Sequence, residues 1–255
     1  MRTLYRAFFL LQISHKTAKL NMYIRQQNSI TPEVVHALSP LLDLLPMEER
    51  RILERSAEIG EYKRHEPIYK EGESPNHLYV VLDGAVKVYR QGVCGRCQIM
   101  RMLGTGSFFG YRASLAHEPY VTGAAAFGSA TICCVPMNLI HSVMAKCPSV
   151  MKFFVEELAK DLGVSDKRMV SLTQKHVRGR IAESLLTMRE VFGLDTEGFI
   201  DLDLTRQELA DYSNMTTSNA IRTISALVSE NVISVKDKRI KLLEDELLLR
   251  ISLMG

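Results

Sequence analysis

The sequence predicts an α+β chain in three parts: a small all-β jelly-roll barrel, a long amphipathic helix and a carboxyl-terminal winged helix-turn-helix. Three observations predict it. Between Glu61 and Pro136 short alternating apolar runs are separated by turn residues, the pattern of a small barrel or sandwich. From about Pro148 the apolar residues recur at three and four positions, the helical period, for some seven turns. Beyond Leu204 two short capped helices are followed by two strands around a charged tip.

The elements follow in order. Residues 1–30 read as an amino-terminal extension. Arg2, Arg6 and Ala7-Phe8-Phe9-Leu10-Leu11 partly imitate a secretion signal, but Thr17-Ala18-Lys19-Leu20 makes a poor cleavage site. The stretch reads instead as dispensable, or as translated from upstream of a start at Met22. Residues 31–148 form the expected barrel unit, opened by Thr31-Pro32 and a helix running to about Ala57. Leu78, Val80 and Leu82 face one way, Asp83-Gly84 is read as a tight hairpin turn, and Val86 and Val88 resume the alternation. Gly104-Thr105-Gly106 lacks the Lys-Ser/Thr and the βαβ setting of a phosphate loop and reads as a strand connection.

Residues 149–176 form the long helix. Its stripe of Phe154, Leu158, Leu162, Ser165, Met169 and Leu172 is narrow and long, which predicts pairing with a second copy rather than packing only on its own barrel. Gly179 marks the expected bend into a second amphipathic helix, stopped by Gly193. Residues 177–255 complete the chain, with Phe199–Leu204 alternating like a strand.

Thr205-Arg206-Gln207-Glu208 is a capping box: the Thr hydroxyl takes one orphan N–H and the Glu reaches back for another. Leu209, Ala210 and Tyr212 are its helix's candidate inward residues. Asn214 suits a left-handed turn, and Thr216 can cap a second helix with Ala220, Ile221, Ile224, Leu227 and Val228 on its apolar face. The outward side of that helix holds Thr217, Ser218, Asn219, Arg222 and Ser225. From Thr216 to Ser229 it carries one arginine and no acid, so nothing on it repels phosphate. Arg222 is the natural reader of guanine O6 and N7 in a major groove. Thr205, Arg206 and Thr216 stand at helix starts, where hydroxyls and free N–H groups hold phosphates. Lys236, Lys238 and Arg239 form a basic hairpin tip.

Composition agrees. The 255 residues are 46% hydrophobic and 24% charged, an ordinary globular balance, and the net charge of +3 puts any DNA-binding face in a local patch. No apolar run reaches the roughly 18–20 residues that span a bilayer, and five cysteines at this density fit reduced thiols in the cytoplasm better than disulfides.

Taken together, these residues resemble the Crp/Fnr family of bacterial transcription regulators over about residues 35–243. The nearest matches are Val177-Arg178-Gly179-Arg180-Ile181-Ala182-Glu183-Ser184-Leu185-Leu186 and Leu204-Thr205-Arg206-Gln207-Glu208-Leu209-Ala210. Asn231-Val232-Ile233-Ser234 and the barrel signature from Glu71-Gly72-Glu73 to Asp83-Gly84 also agree. The resemblance implies a cyclic-nucleotide-binding-like barrel, a dimerisation helix and a homodimer on a roughly palindromic DNA operator, with RNA polymerase a further partner and no membrane association. It implies an effector pocket around Gly110, Tyr111, Arg112, Thr122, Ser165 and Asp166.

The sensory half departs from the cyclic-AMP branch. That branch holds ribose and phosphate with a Gly-Glu pair and an Arg-Ser pair, where this chain reads Gly110-Tyr111-Arg112 and Val121-Thr122. A buried phosphate without a cation is disfavoured, so the usual cyclic-AMP mode is not expected. Arg112, one step away, could serve an anion site if the register slips. An iron–sulfur centre is not supported either, since the first cysteine is Cys94. Cys94-Gly95-Arg96-Cys97 has ligand-like spacing at a hairpin tip, and reads as exposed thiols ahead of a redox dithiol or a metal site. For haem, His117 is the one histidine worth testing, a solvated loop histidine being the plainer reading. The effector is thus unassigned. A bend near His176–Gly179 is expected to pass its signal to the DNA-reading helices. The rival reading is a sensory module whose carboxyl-terminal domain docks a protein instead of DNA; no paired carboxylates or nucleophile–base set points to an enzyme.

Overall fold

The computed structural model describes residues 32–92 and 95–254; the expected amino-terminal extension, Thr31 and Cys94 lie outside them. Two helices lead, α1 (Pro32–Leu42) and α2 (Met47–Ser56), where the sequence predicts one. Pro46 divides them: it has no N–H for a continuing helix and sits at the cap of α2 with ψ 154°.

Six antiparallel strands follow: β1 (Glu58–Tyr62), β2 (Pro67–Tyr69), β3 (His77–Gln91), β4 (Cys97–Leu103), β5 (Phe108–Phe109) and β6 (Gly123–Pro136). Their order is β1-β6-β3-β4, with β2 on β6 and β5 on β3. A short helix α3 (Tyr111–Leu115) follows β5, and α4 (Met137–Lys146) follows β6.

Asp83-Gly84 is not a hairpin turn. It lies inside the 15-residue strand β3, opposite Thr131 and Ala130, where the pairing register slips on both sides. Both settings demand the same backbone: Gly84 has φ +81°, and a Cβ there would meet the Ser129 carbonyl oxygen at 2.2 Å. The bulge resets the strand's faces. Tyr79 and Val81 before it and Val86 and Val88 after it all join one cluster with Phe109, Tyr120 and Ile132. Leu78 and Val80 point the other way, into a cluster with α1, α4 and Phe154.

The long helix α5 (Pro148–Gln174) ends at Lys175, which is extended, and His176 caps α6 (Val177–Phe192). The break is therefore at Lys175-His176, and Gly179 lies buried inside α6. Phe199–Leu204 is not a strand. Only Ile200 bridges, to Leu194, although Ile200 N–H and Leu204 N–H donate to the carbonyls of Ile240 and Lys238. Its burial alternates because Ile200, Leu202 and Leu204 pack into the core beneath the tip.

The carboxyl-terminal unit contains α7 (Arg206–Tyr212), α8 (Thr217–Ser229), β7 (Ile233–Lys236), β8 (Arg239–Leu242) and α9 (Asp245–Met254). Helix α9, unpredicted, buries Leu248 and Ser252. The unit shares one core with the sheet: Ile99, Met102 and Phe127 cluster with Ile181, Leu209, Tyr212 and Leu227.

Candidate nucleic-acid interface and sensory cavity

The two helices α7 and α8 are built by their caps. Thr205 Oγ1 accepts from Glu208 N–H at 3.1 Å, and Glu208 Oε2 accepts from Thr205 N–H at 3.0 Å, closing the predicted capping box. Asn214 takes φ +51° in the turn, and Thr216 caps α8 by accepting from Asn219 N–H at 3.3 Å. Leu209, Ala210, Tyr212, Ala220, Ile224 and Leu227 are buried, as their spacing predicts. Ile221 and Val228, expected inward, are exposed: the apolar arc of α8 is narrower than the sequence suggests.

Thr216, Ser218 and Arg222 are exposed, together with Ser225. Ile221 joins them, an apolar side chain that can meet a thymine methyl; its neighbours in sequence disguised it as core. Thr217 and Asn219 are half-buried, and the Thr217 hydroxyl bonds the Gln207 side chain. Thr205 is occupied by its cap, while Arg206 is half-buried.

At the tip, Asp237 has φ +56° and Lys238 is exposed. Lys236 is exposed and lies 3.7 Å from Glu197. Arg239 is not a free cation of this tip: it bonds Asp195 at 2.8 Å and Glu197 at 3.2 Å and lies over the Phe199 ring. We expect Lys238→Ala to weaken binding to all DNA sequences alike and to reduce the slope of log affinity against log salt by about one; an unchanged slope measured by fluorescence anisotropy would remove Lys238 from the phosphate contacts.

The α7 helix also faces the barrel. Glu208 is only 6% exposed at its side chain, and its Oε2 accepts from Arg64 Nη2 at 2.8 Å. Its Oε1 accepts no hydrogen bond among the described residues, with Lys87 Nζ and His65 Nδ1 each at 3.7 Å. Burial and Lys87 push the His65 imidazole down, against the pull of Glu208. At the other end of α7, the Arg168 guanidinium lies 3.7 Å from the centre of the Tyr212 ring. It donates to the carbonyls of Tyr212 and Ile99. One carboxylate and one guanidinium thus tie the first helix of the pair to the barrel and to α5.

Between the barrel mouth and α5 lies a cavity of about 610 Å³. Of the residues named from the sequence, Gly110, Tyr111, Arg112, Thr122 and Ser165 line it; Asp166 does not, because the helical step carries it to the exposed side of α5. The acid that reaches the cavity is Asp161, which sequence reasoning missed. It binds Arg101 through two bonds of 2.6 Å and accepts from the Tyr111 hydroxyl at 3.2 Å. Arg112 is paired with Glu118 at 2.7 Å. Gly110 has φ +86°, and a Cβ there would meet Tyr79 at 2.6 Å, so the entry to α3 admits glycine alone.

Residues 59–147 match the cyclic nucleotide-binding domain family, and residues 179–251 match the Crp-like helix-turn-helix domain family. The chain belongs to the Crp/Fnr family of transcription regulators. It is 22% identical over 192 residues to a CRP-like cAMP-activated global transcriptional regulator of Mycobacterium tuberculosis, covering 74% of this chain and 86% of that one. It is 26% identical over 209 residues to the nitrogen fixation regulation protein FixK of Bradyrhizobium diazoefficiens, covering 81% and 86%. Among solved structures, FixK2 from Bradyrhizobium japonicum shares the fold with a TM-score of 0.70 at 24% identity, over 76% of this chain and 96% of that one. The Crp/Fnr fold thus agrees with the predicted class, and its members are transcription regulators, not enzymes.

The α5 stripe of this regulator departs from the predicted one at its start. Phe154 is 1% exposed, packed in the chain's own core against Tyr111 and Phe153, and so is closed to a partner. Val155 is exposed in its place, with Met151, Leu162 (62%) and Met169 (63%); Ser165 is exposed, and Leu158 and Leu172 are half-buried. The row 151, 155, 158, 162, 165, 169, 172 alternates steps of four and three, the spacing of a paired-helix seam.

Cys97 is a half-buried free thiol, raised above its ordinary pKa by burial, and its predicted partner Cys94 lies outside the described residues. Burial pushes Cys133 and Cys134 up to about 12, which keeps them protonated and inert. No cluster of metal-ligating side chains occurs among the described residues. His117 does not line the cavity; it stands at φ +55° with its ring parallel to His141. Within the same residues, no helix is long and apolar enough to cross a membrane.

Proposed function

We propose that this regulator is a cytoplasmic homodimer paired along α5, which sets two α8 helices into successive major grooves of a roughly palindromic operator and acts there with RNA polymerase. The observation that carries this reading is the four-three row of α5, whose Val155, Leu162 and Met169 stand exposed seven residues apart on a 27-residue helix. Among the described residues nothing covers Val155, Leu162 and Met169, and a twin helix would bury them. On α8, Ser218, Ile221, Arg222 and Ser225 form the reading face, with Thr216, Arg206, Lys236 and Lys238 toward the phosphates.

The cavity against α5 is the effector site in this reading, lined by Gly110, Tyr111, Arg112, Thr122 and Ser165. Its signal has a shorter route than the Lys175-His176 break: Arg168 belongs both to the cavity wall and to the contact with Tyr212. The present arrangement, with α7 held on the barrel by Glu208 and Arg168, is the latched form.

Met169→Glu tests the pairing. It places two carboxylates opposite each other in the seam, so sedimentation should show a dimer becoming a monomer. Selection from a random duplex pool should yield a two-fold symmetric sequence for the native chain, with half-sites about 34–36 Å apart, and none for the variant. A Met169→Glu chain that stays dimeric, or a selected sequence with a single half-site, would overturn the reading.

A further inference from the structure

We propose that the cavity between the barrel and α5 takes an uncharged aromatic small molecule, and not an anionic nucleotide. This rests on the reading of the cavity as the sensory site and names the chemistry of what it senses.

The argument is one of charge already spoken for. Among the described residues three guanidinium groups border the cavity, and each has partners within the chain. Arg101 is held by Asp161 through two bonds of 2.6 Å, and Arg112 by Glu118 at 2.7 Å. Arg168 donates to two backbone carbonyls and lies against the Tyr212 ring. Asp161, the one carboxylate on the wall among the described residues, is likewise satisfied by Arg101 and the Tyr111 hydroxyl. An anion drawing on Arg101 must break its ion pair and leave Asp161 unpartnered in a half-buried place, a cost that its own contacts only partly return; the exposed Arg112 pair is the weaker barrier.

Apart from Thr122 and Ser165, the rest of the wall is apolar or aromatic. Val88, Phe109 and Tyr120 face it from the barrel, and Leu158, Leu162 and Met169 from α5. On the barrel side of the wall Tyr69 stacks on Tyr120, with centroids 3.7 Å apart and planes 13° from parallel, and Phe109 lies beside them, its ring stacked at 5.2 Å on Tyr79, which does not itself line the cavity. Such a surface offers π faces to a flat ring, and about 610 Å³ is within the range of sites that enclose a molecule of two or three rings. A ligand seated there touches α5 on the faces of Leu158, Leu162 and Arg168, and so meets both the pairing helix and the contact to α7.

Two fluorescent probes that differ by one charge decide the matter on the full chain without DNA. N-phenyl-1-naphthylamine is uncharged; 1-anilinonaphthalene-8-sulfonate carries the same rings and a sulfonate. The uncharged probe should bind saturably, one per chain, at least tenfold more tightly than the anion, and cyclic AMP should not displace it. Val121→Trp, at an exposed position of the wall, should abolish the binding by filling the cavity. Asp161→Asn, which frees Arg101, should raise affinity for the sulfonate about tenfold, and Glu118→Gln, at the exposed Arg112 pair, provides the same test if the first variant folds poorly. Equal or tighter binding of the sulfonate by the native chain, displacement by cyclic AMP, or sulfonate affinity unmoved by freeing either arginine would overturn the proposal. So would failure of the uncharged probe to bind, the cavity then being closed by the partner helix. None of these outcomes bears on DNA recognition, which the operator selection reads separately.

Discussion

Arg222→Ala should relax discrimination at one base pair of each half-site by about 1–3 kcal/mol, a change of roughly 5- to 150-fold in relative affinity. The side chain is exposed on α8 and flanked by the short Ser218 and Ser225, so its guanidinium extends beyond its neighbours. A forked donor in that position fits the two acceptors of guanine, and alanine removes both bonds while leaving the helix sound, because alanine favours the helix. Titration against the selected operator and its single-base variants provides the measurement. Loss confined to one position assigns the contact; an equal loss on every sequence means that Arg222 holds phosphate and that the bases are read by other residues.

Glu208→Gln should raise DNA affinity about tenfold in the absence of any effector, with a loss of about 2–3 kcal/mol in the docking of α7 on the barrel. Glutamine keeps the capping box, since its amide oxygen still accepts from Thr205 N–H. It removes the charge, which leaves Arg64 and Lys87, 28% and 14% exposed at their side chains, facing each other without a carboxylate. Breaking a fully buried pair costs about 3–5 kcal/mol, and the partial exposure of Arg64 lowers that. If the docked α7 is the latched form, loosening it enlarges the fraction of chains competent for DNA, and apparent affinity rises by that factor. Arg64→Ala should act in the same direction, and the double variant should show less than the sum of the two. Unchanged or weaker DNA binding in Glu208→Gln would mean that the cluster is a plain structural contact.

The local chemistry of the DNA-reading unit was legible in the sequence. Thr205 with Glu208, Asn214 and Thr216 act within four residues of themselves, and each took the role its spacing implies. Asp83-Gly84 was half legible: the positive φ was read, but a turn and a bulge ask the same of the backbone, and only the pairing of β3 with β6 distinguishes them. Phe154 and Val155 are neighbours of like polarity, and nothing local says that the first belongs to the barrel and the second to the seam. Asp161 and Asp166 are alike in the same way, and only the place of Arg101 on β4 chose between them. Ile221 was hidden for a related reason, since an apolar residue within an apolar arc reads as core.

The sequence by itself determined the order of parts and the caps and turn of the two carboxyl-terminal helices, because each depends on residues close along the chain or on residue type alone. Only the tertiary structure decided that Glu208 faces Arg64 and Lys87, that Arg168 reaches Tyr212, and that every arginine of the cavity is already partnered. Those pairings join residues from 6 to 144 positions apart, Arg112 with Glu118 being the nearest and Arg64 with Glu208 the farthest. A charge is silent about its partner until the fold has set the distance between them, because the strength of an ion pair depends on separation and burial and not on position in the chain.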